Sequence, residues 1–346
     1  MTASSPSDAV PDVSVIMSTF NEERWLRETI DAMLAQTGVT LEILVIDDGS
    51  RDESTALLQS FADPRLVVLR NETRAGWRNN MNTLAGMARG RLIKPHCPDD
   101  VVRPGCFKAA VDLFDRQQDV GFLFCDFGWI DAEGRDVAGR TLRDWPERIG
   151  RELADDLAMT EGCFINTSCL FVPRDRWHGV GGMRSVVEPN PERWPTVEDF
   201  DLMARLQEHH DVGYVRQALV GVRTHAQQVQ GNVVVKPLLV RADLVVIGDL
   251  LARLASRGGE HATAVRNKCL ARVAGDYLRP AVKLLLQGRW RQGVDLLAAV
   301  NAFVALPRLM PVFISSIVVP AIGRKLGTAR RRLLARFASG GARASP

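Results

Sequence analysis

Short apolar runs alternate with helix-like segments over residues 13–125, and this alternation constrains the possible folds more than any other feature. Residues 13–18 have the composition of a buried strand. Residues 22–36 place apolar side chains at helical spacing, with Asn21 as a candidate N-cap and Gly38 as a stop. Strands that alternate with helices indicate an α/β fold with a mostly parallel sheet flanked by helices. The same reasoning predicts strands at 41–46, 65–70, 91–95 and 120–125, and helices at 51–61, 78–89 and 104–115.

Polar residues directly follow three of these predicted strands, at 18–22, 47–50 and 97–100. The carboxyl ends of parallel strands meet at one edge of the sheet, and ligands bind in the crevice beyond that edge. We therefore expect the three polar segments to line one binding cleft.

Two acidic pairs carry the strongest chemical signal. Asp99-Asp100 follows a predicted strand, and Glu198-Asp199 opens a helix-like stretch much later in the chain. A carboxylate pair at a strand end suits a hard divalent cation, which prefers oxygen ligands. A separate carboxylate entering the same cleft can act as a general base. Both pairs also have a structural interpretation, because acidic residues cap helix starts and complement the helix dipole.

The pattern changes beyond residue 126. Residues 130–134 predict a hairpin turn, and residues 165–172 predict a strand. The segment 179–195 is rich in Gly, Pro and Trp, which is typical of a loop on the substrate side. From about residue 232 onward the chain is predicted to be helical, without an apolar window long enough to span a membrane.

The composition is that of an ordinary globular protein, with 46% hydrophobic and 25% charged residues. Six cysteines without a CxxC pair predict reduced, buried thiols in a cytosolic protein, and no zinc site. Residues 262–346 carry 15 Lys and Arg against two acidic residues, a net charge of +13, so the remainder carries −10. This asymmetry predicts that the basic region meets an anionic surface.

Six segments in a fixed order give the chain a resemblance to the inverting glycosyltransferases of family 2, which have the GT-A fold. The resemblance covers residues 13 to about 230, or roughly two-thirds of the chain. It implies transfer of a sugar from a nucleotide-diphospho-sugar, most simply a uridine-based one. The segments are residues 13–23, 45–50, 80–82, 97–100 with Pro104-Gly105, 198–202 and 223–228.

On the nucleotide side, the resemblance implies a pocket for the base and an acidic residue that accepts a hydrogen bond from it. The acidic residue is Asp48, although residues 47–50 are equally compatible with a simple strand-to-helix turn. Asn80 has a structural alternative too, because it can satisfy loop backbone. The positions implied to bind the nucleotide are Ser18, Thr19, Phe20, Glu22, Asp48, Asn80 and Asp99.

On the metal side, Asp99 corresponds to the last position of the Asp-x-Asp motif of the family. The resemblance implies that Asp99 holds Mn²⁺ or Mg²⁺ on the donor diphosphate, with Asp100 beside it and His225 close to the ion or the diphosphate. A divalent cation would stabilise the charge that develops on the leaving group. His225 alone is equally compatible with an ordinary polar residue.

Asp199 corresponds to the catalytic base of the family. The acceptor hydroxyl must lose a proton as it attacks the anomeric carbon, and a carboxylate within hydrogen-bond reach can take that proton. Glu198 or Asp201 would orient it. Trp194, in the loop before the base, has two interpretations: it stacks on an acceptor sugar or it packs in the core.

The chain departs from the family pattern in two places. Cys97 stands where the first Asp of Asp-x-Asp is expected, and a thiol is a poor ligand for hard cations. The motif Gln-x-x-Arg-Trp, typical of processive synthases, does not follow the Glu-Asp pair, so a single transfer per encounter is expected. Cys97 keeps a second hypothesis open, a catalytically inactive scaffold that binds a membrane partner. A nucleotidyltransferase is disfavoured, because residues 18–22 are neither glycine-rich nor basic.

These inferences divide the chain into a disordered tail at 1–12, a GT-A catalytic domain at 13–232 and a basic helical region at 233–346. The acceptor is expected to be a glycan or a lipid-linked sugar of the cell envelope. The apolar residues 306–322 and the basic residues 324–336 predict peripheral attachment to the cytoplasmic face of a membrane, against the alternative of a packed helical subdomain with a solvated tail. Nucleic-acid binding is not expected.

Overall fold

The computed structural model describes residues 9–140, 142–163, 165–188, 197–225 and 237–303. These residues fall into two compact units. The first contains the described residues up to 225 together with 245–250, and the second contains 237–244 and 251–303.

A sheet of ten strands forms the centre of the first unit, counted over the described residues. Four neighbouring strands are parallel and lie in the order β3, β2, β1, β4. They are β1 (Val13–Thr19), β2 (Leu41–Asp47), β3 (Leu66–Arg70) and β4 (Leu92–His96).

Beyond β4 the sheet becomes mixed. Strand β9 (Leu170–Pro173) runs antiparallel between β4 and β6 (Phe122–Ile130). The long strand β10 (Val212–Arg223) is parallel to β6 and antiparallel to β5 (Val101–Val102). Two short strands, β7 (Asp136–Arg140) and β8 (Arg148–Ile149), pair antiparallel with β6 and β10.

The central strands are buried on both faces. Every residue of β1, β2 and β4 is buried, so these strands show no alternation of apolar and polar side chains. The helices bury one face each: in α4, Phe107, Ala110 and Val111 lie in the core. The predicted α/β fold with a central sheet and flanking helices is therefore confirmed. The helices of this part are α1 (Leu26–Leu34), α2 (Ser54–Gln59), α3 (Trp77–Met87), α4 (Cys106–Arg116), α5 (Arg151–Glu161), α6 (Arg174–Gly179) and α7 (Glu198–Leu206).

The described residues beyond 236 are helical, as the sequence predicts. A buried polar contact ties two of these helices together, because the Tyr277 hydroxyl donates a hydrogen bond to Asp243. None of the helices in the described part is both long and apolar enough to cross a membrane. The elements are α8 (Pro237–Arg257), α9 (Gly259–Val273), a π-helical turn (Ala274–Leu278), α10 (Arg279–Leu286) and α11 (Trp290–Phe303).

Two local predictions were wrong, each because a side chain bonds to the backbone. Asn21 does not cap α1. It has a left-handed φ of 58°, and its side chain accepts a hydrogen bond from the Arg51 N–H at 2.8 Å. The strand predicted at 165–172 begins only at Leu170, because the Asn166 side chain accepts the Ser168 N–H at 2.8 Å and starts a 3₁₀ turn, Thr167–Cys169.

The remaining local expectations have mixed outcomes. The hairpin is confirmed, because β6 and β7 are antiparallel and the Gly134 N–H donates to the Asp131 carbonyl at 3.0 Å. All six cysteines are free, and four are buried, but Cys163 is exposed and Cys97 is partly exposed. The predicted tail is shorter than residues 1–12, since the Pro11 carbonyl and the Asp12 N–H bond to Arg91 and Thr40.

Candidate functional site

The three polar segments predicted to share a cleft do lie at one edge of the sheet. Thr19, at the end of β1, is in register with Asp47 on β2, and Met17 is in register with His96 on β4. The residues after these strands therefore emerge together, as expected for neighbouring parallel strands.

Asp48 directly follows β2 at this edge, and a loop wraps around it. Its carboxylate accepts hydrogen bonds from Asn71 Nδ2 at 2.8 Å, from the Ala75 N–H at 2.8 Å and from the Gly76 N–H at 3.0 Å. Burial acts to raise the pKa of Asp48, but these hydrogen bonds outweigh it and lower the pKa. The neighbouring Asp47 has the turn role instead, because it accepts the Ser50 N–H at 2.9 Å. Asp48 is thus a preorganised anionic acceptor.

An amide relay connects this loop to β1. Asn71 Nδ2 donates to Asn80 Oδ1 at 2.9 Å, and Asn80 Nδ2 donates to Ser18 Oγ at 2.9 Å. Thr19 Oγ1 is buried, and no hydrogen-bond partner for it lies among the described atoms. Sequence analysis missed Asn71, although it follows β3 directly.

Phe20 forms the outer part of the same region. The Arg74 guanidinium stacks over the Phe20 ring at 4.0 Å from its centroid, and Arg74 Nε lies 3.8 Å from Asp48 Oδ2. An aromatic face, a guanidinium and a fixed carboxylate are the groups that recognise a planar base with hydrogen-bond donors.

Cys97, Asp99 and Asp100 form the acidic cluster at the end of β4, where one potential ligand atom from each lies within 4.8 Å of the others. His225 Nε2 lies 3.0 Å from Asp99 Oδ2, and the His225 ring packs at a tilt against Trp25 with centroids 4.1 Å apart. The three residues predicted to hold a metal, Asp99, Asp100 and His225, are therefore brought together.

Arg223, at the end of β10, supports this cluster from behind and is completely buried. Its N–H donates to Asp100 Oδ1 at 2.9 Å, and its Nε donates to the Asp99 carbonyl at 2.7 Å. The guanidinium also donates to Glu28 Oε2 at 2.6 Å and to the Asp131 carbonyl at 3.0 Å. An arginine that ends an apolar strand was the available sequence signal, and it was overlooked.

The residues of the cluster fit a hard divalent cation, with one exception. Two carboxylates provide oxygen ligands, and His225 Nδ1 is buried without a hydrogen-bond partner among the described atoms. The exception is Cys97, whose thiol pKa is raised well above its usual value by burial and by the charges of Asp100 and Asp99. Cys97 is therefore a neutral thiol, and Asp99 and Asp100 are the only strong ligands of the three.

Asp199, the predicted base, opens α7 and accepts a hydrogen bond from the Thr167 hydroxyl. Burial raises the pKa of Asp199, and the Thr167 hydrogen bond opposes that shift. A raised pKa suits a group that must take a proton during catalysis.

The next residue, Ser168, holds the acidic cluster. Its Oγ accepts the Cys97 N–H at 3.0 Å, and its side chain acts to lower the pKa of Asp100. Burial and the charge of Asp99 nevertheless raise the pKa of Asp100 to about 7. Two consecutive residues of one 3₁₀ turn therefore contact Asp199 and the Cys97 end of the acidic cluster. The polar triplet 166–168 inside an apolar run was the signal that sequence analysis missed.

A buried lysine anchors this turn. Lys94 Nζ, on β4, donates to the Ser168 carbonyl and lies 3.2 Å from His96 Nδ1. His96 Nε2 reaches the Asp100 carbonyl at 3.2 Å. Burial and the Lys94 charge lower the pKa of His96, so the neutral imidazole bridges the lysine and the Asp99-Asp100 backbone.

Glu22 lies near the acidic cluster. Burial, followed by the charges of Asp99 and Asp52, raises the pKa of Glu22 to about 8. Burial is thus the main reason that Glu22 resists ionisation, and the neighbouring carboxylates add to it, as is common at functional sites.

The other acids of α7 have separate surroundings. Glu198 is buried, and Asp201 forms ion pairs at 2.8 Å with Arg184 and Arg205. Arg205 in turn donates to the Val180 carbonyl at 2.6 Å. Asp201 therefore anchors the loop after α6, and the expectation that it orients Asp199 finds no support.

Trp194, Gln227, Gln228 and the basic residues 324–336 lie outside the described residues.

The mixed central sheet flanked by helices, with an acidic cluster at its carboxyl edge, gives this chain the GT-A fold. Solved structures agree. The chain superposes on Staphylococcus aureus TarS residues 1–349 in complex with UDP-GlcNAc with a TM-score of 0.64 and 15% identity, covering 88% of this chain and 84% of that one. The same TarS fragment in complex with UDP gives a TM-score of 0.60.

Sequence comparison indicates a family. Residues 14–175 match glycosyl transferase family 2, so this part of the chain is similar to the glycosyltransferases of that family. Among its relatives, the succinoglycan biosynthesis protein ExoO of Rhizobium meliloti is 32% identical over 184 residues, which is 52% of this chain and 49% of ExoO. An uncharacterized glycosyltransferase of Rickettsia prowazekii is 29% identical over 221 residues, covering 63% of this chain and 65% of that protein. The chain thus spans about half the length of ExoO.

Proposed function

We propose that this protein transfers a single sugar, with inversion, from a nucleotide-diphospho-sugar to a glycan or lipid-linked acceptor during cell-envelope polysaccharide synthesis. One observation carries the proposal: the turn Thr167–Cys169 contacts Asp199 through Thr167 and the Cys97 N–H of the acidic cluster through Ser168. This shared turn supports a base and a site for a leaving diphosphate close to each other, which displacement at an anomeric carbon requires.

The donor side supports a uridine nucleotide. Asp48 is held as an anion by three hydrogen bonds, so it can accept a hydrogen bond from the imide N–H of uracil. Phe20, under Arg74, offers a face for the planar base. The structural neighbour TarS was solved with UDP-GlcNAc and with UDP, which makes UDP-GlcNAc the first donor to test.

On the acceptor side, Asp199 takes the proton of the attacking hydroxyl. The oxygen of that hydroxyl forms a bond to the anomeric carbon while the bond between that carbon and the diphosphate oxygen breaks, and the electron pair leaves with the diphosphate. Burial keeps the pKa of Asp199 above its usual value, which favours proton uptake, and Thr167 fixes the carboxylate in place.

Asp99, Asp100 and His225 would hold Mn²⁺ or Mg²⁺. Bound there, the cation supplies Lewis-acid stabilisation of the negative charge on the departing diphosphate. The protein contributes by holding Asp99 and Asp100 in place through Arg223, Ser168 and His96.

The acceptor assignment rests on the family and on ExoO, whose name places it in succinoglycan biosynthesis. Nothing in the described loops encodes the acceptor sugar or the linkage. A donor screen that measures hydrolysis and transfer across activated sugars, with UDP-GlcNAc first, identifies the substrate class directly.

The test of the proposal is Asp199→Asn. We expect UDP binding to be unchanged by calorimetry and transfer to fall at least about a hundredfold, because the amide cannot accept the proton. Asp175→Asn is the matched control, since that carboxylate is 70% exposed and lies on a different helix. Transfer by Asp199→Asn at the wild-type rate would show that another group is the base.

One observation favours a second candidate function, a catalytically inactive GT-A scaffold. Cys97 occupies a position of the acidic cluster with a neutral thiol. Calorimetry with UDP in the presence and absence of Mn²⁺ separates the two. Binding that depends on Mn²⁺ supports the transferase, whereas no binding under either condition supports the scaffold.

A further inference from the structure

The turn between α10 and α11 exposes large apolar side chains. Leu286 is 84% exposed, Trp290 is 65% exposed, and Val294 is 53% exposed. Val282, one helical turn before Leu286, is 39% exposed. We call the segment 282–294 the hairpin tip. Leu286 and Trp290 flank the turn between the two helices. Large apolar side chains that are this exposed often mark an interaction surface.

The exposed apolar residues are separate from the apolar faces that α10 and α11 bury. In the same helices Ala281, Leu284 and Leu296 are buried, so each helix already has a covered apolar face. Val282 and Leu286 are four residues apart on α10, and Trp290 and Val294 are four apart on α11, so each pair forms one stripe. The hairpin tip therefore presents a second apolar surface in addition to its packed one.

The charge around the hairpin tip is positive. Residues 277–294 contain Arg279, Lys283, Arg289 and Arg291 and no acidic residue, a net charge of +4. All four basic side chains are exposed. Exposed Asp276 and Asp295 flank this segment directly, so residues 276–295 together carry a net charge of +2 and remain positive.

We propose that the hairpin tip is a docking surface for an anionic lipid bilayer. Leu286 and Trp290 enter the interface between headgroups and acyl chains, a depth at which tryptophan is favoured. The four basic residues lie at the level of the anionic headgroups, where each strengthens binding about fivefold. Because none of the described helices can cross a membrane, the hairpin lies on the surface of the bilayer.

This inference differs from attachment through residues 306–336, which lie outside the described part of the chain. It is also independent of the proposed transferase activity, because vesicle binding needs neither donor nor acceptor. Failure of one proposal therefore leaves the other standing.

The test is flotation of the full chain with vesicles of phosphatidylcholine containing about a third phosphatidylglycerol. We expect the wild-type chain to float with these vesicles, to float much less with pure phosphatidylcholine, and to detach as salt is raised. Leu286→Ser with Trp290→Ser should weaken binding at least about tenfold. Arg289→Gln with Arg291→Gln should weaken it roughly 25-fold.

Leu153→Ser is the matched control, because Leu153 is a 46% exposed leucine on α5. We expect it to bind like the wild type, and circular dichroism should show that every variant is folded. As a second readout, the blue shift of tryptophan emission on vesicle addition should be smaller in Trp290→Phe.

Two outcomes overturn the proposal. If the wild-type chain does not bind anionic vesicles, the hairpin tip has another occupant, such as residues 304–346 or a second copy. If Leu286→Ser with Trp290→Ser binds as tightly as the wild type, the lipid contact lies elsewhere in the chain.

Discussion

The hydrogen bond from Thr167 to Asp199 makes a prediction about the pH dependence of activity. Thr167→Val removes the hydroxyl and keeps the shape of the side chain. The hydroxyl stabilises the ionised carboxylate, so its loss should raise the pKa of Asp199 further above its usual value. The base must be deprotonated to act, and activity falls as pH drops through its pKa. The acid limb of the pH–rate profile should therefore move to higher pH.

The size of the shift follows from the strength of the bond. A hydrogen bond to a charged group contributes about 1.5–3 kcal/mol, and one pKa unit corresponds to about 1.4 kcal/mol. Thr167→Val should therefore move the acid limb upward by about one to two pH units. Above both pKa values the variant and the wild type should have similar rates, because Asp199 is ionised in each.

The assay is the initial rate of donor turnover, measured from acid to alkaline pH at saturating divalent cation. Thr167→Ser is the matched control, since serine keeps the hydroxyl and should leave the profile in place. Other carboxyl groups of the site, such as Glu22 and Asp100, titrate equally in both variants, so the difference between the two profiles isolates Asp199. Superimposable acid limbs for Thr167→Val and Thr167→Ser would refute the reasoning.

Three further predictions concern the supports of the site. Arg223→Met should lower the free energy of unfolding by about 4 kcal/mol, because it removes a fully buried charge partner and leaves carbonyls unpaired. Arg135→Met, whose side chain is 74% exposed, is the matched control and should leave the same urea titration nearly unchanged. Asn82→Ala should cost about 2 kcal/mol, because both amide atoms of Asn82 bond to the Met183 backbone; a change within error would show that this loop is held by other contacts. Cys97→Asp should tighten Mn²⁺ binding in calorimetry, and unchanged affinity would remove position 97 from the metal site.

The framework of the fold was predictable because its signals are local. Strand and helix periodicities over residues 13–125 depend only on neighbouring residues, and the carboxyl edge follows from the parallel order. The two wrong secondary-structure predictions arose where a side chain, rather than the backbone, accepted a hydrogen bond from a backbone N–H. Asn166 bonds to the Ser168 N–H and turns a predicted strand into a 3₁₀ turn. Asn21 bonds to Arg51, and α1 begins five residues later, at Leu26.

The candidate site was predictable in its carboxylates but not in what holds them. Asp99 and Asp199 stand in recognisable segments, whereas the residues that bring them together act over long sequence distances. Arg223 reaches Glu28, 195 residues away, and Lys94 reaches Ser168, 74 residues away. No window of sequence contains such a pair, so only the folded chain shows that one turn contacts both Asp199 and Cys97, two residues before Asp99.

The charge balance of the acidic cluster gives Cys97 a physical meaning. Glu22 and Asp100 already have raised pKa values, about 8 and about 7, in part because of the Asp99 charge. A carboxylate that replaced the Cys97 thiol would lie within 4.8 Å of Asp99 and Asp100, where each like-charge pair costs about 3 kcal/mol at an effective dielectric constant near 20. The neutral thiol avoids that repulsion in the metal-free chain, but it provides one oxygen ligand fewer for a cation.

Cys97→Asp should therefore change thermal stability in opposite directions without and with Mn²⁺, because the added negative charge is the cause of both effects. Without Mn²⁺ its melting temperature should fall below that of the wild type, and with saturating Mn²⁺ the difference should shrink or reverse, because the cation neutralises the added charge. A variant as stable as the wild type without Mn²⁺ would show that repulsion is not what the thiol relieves.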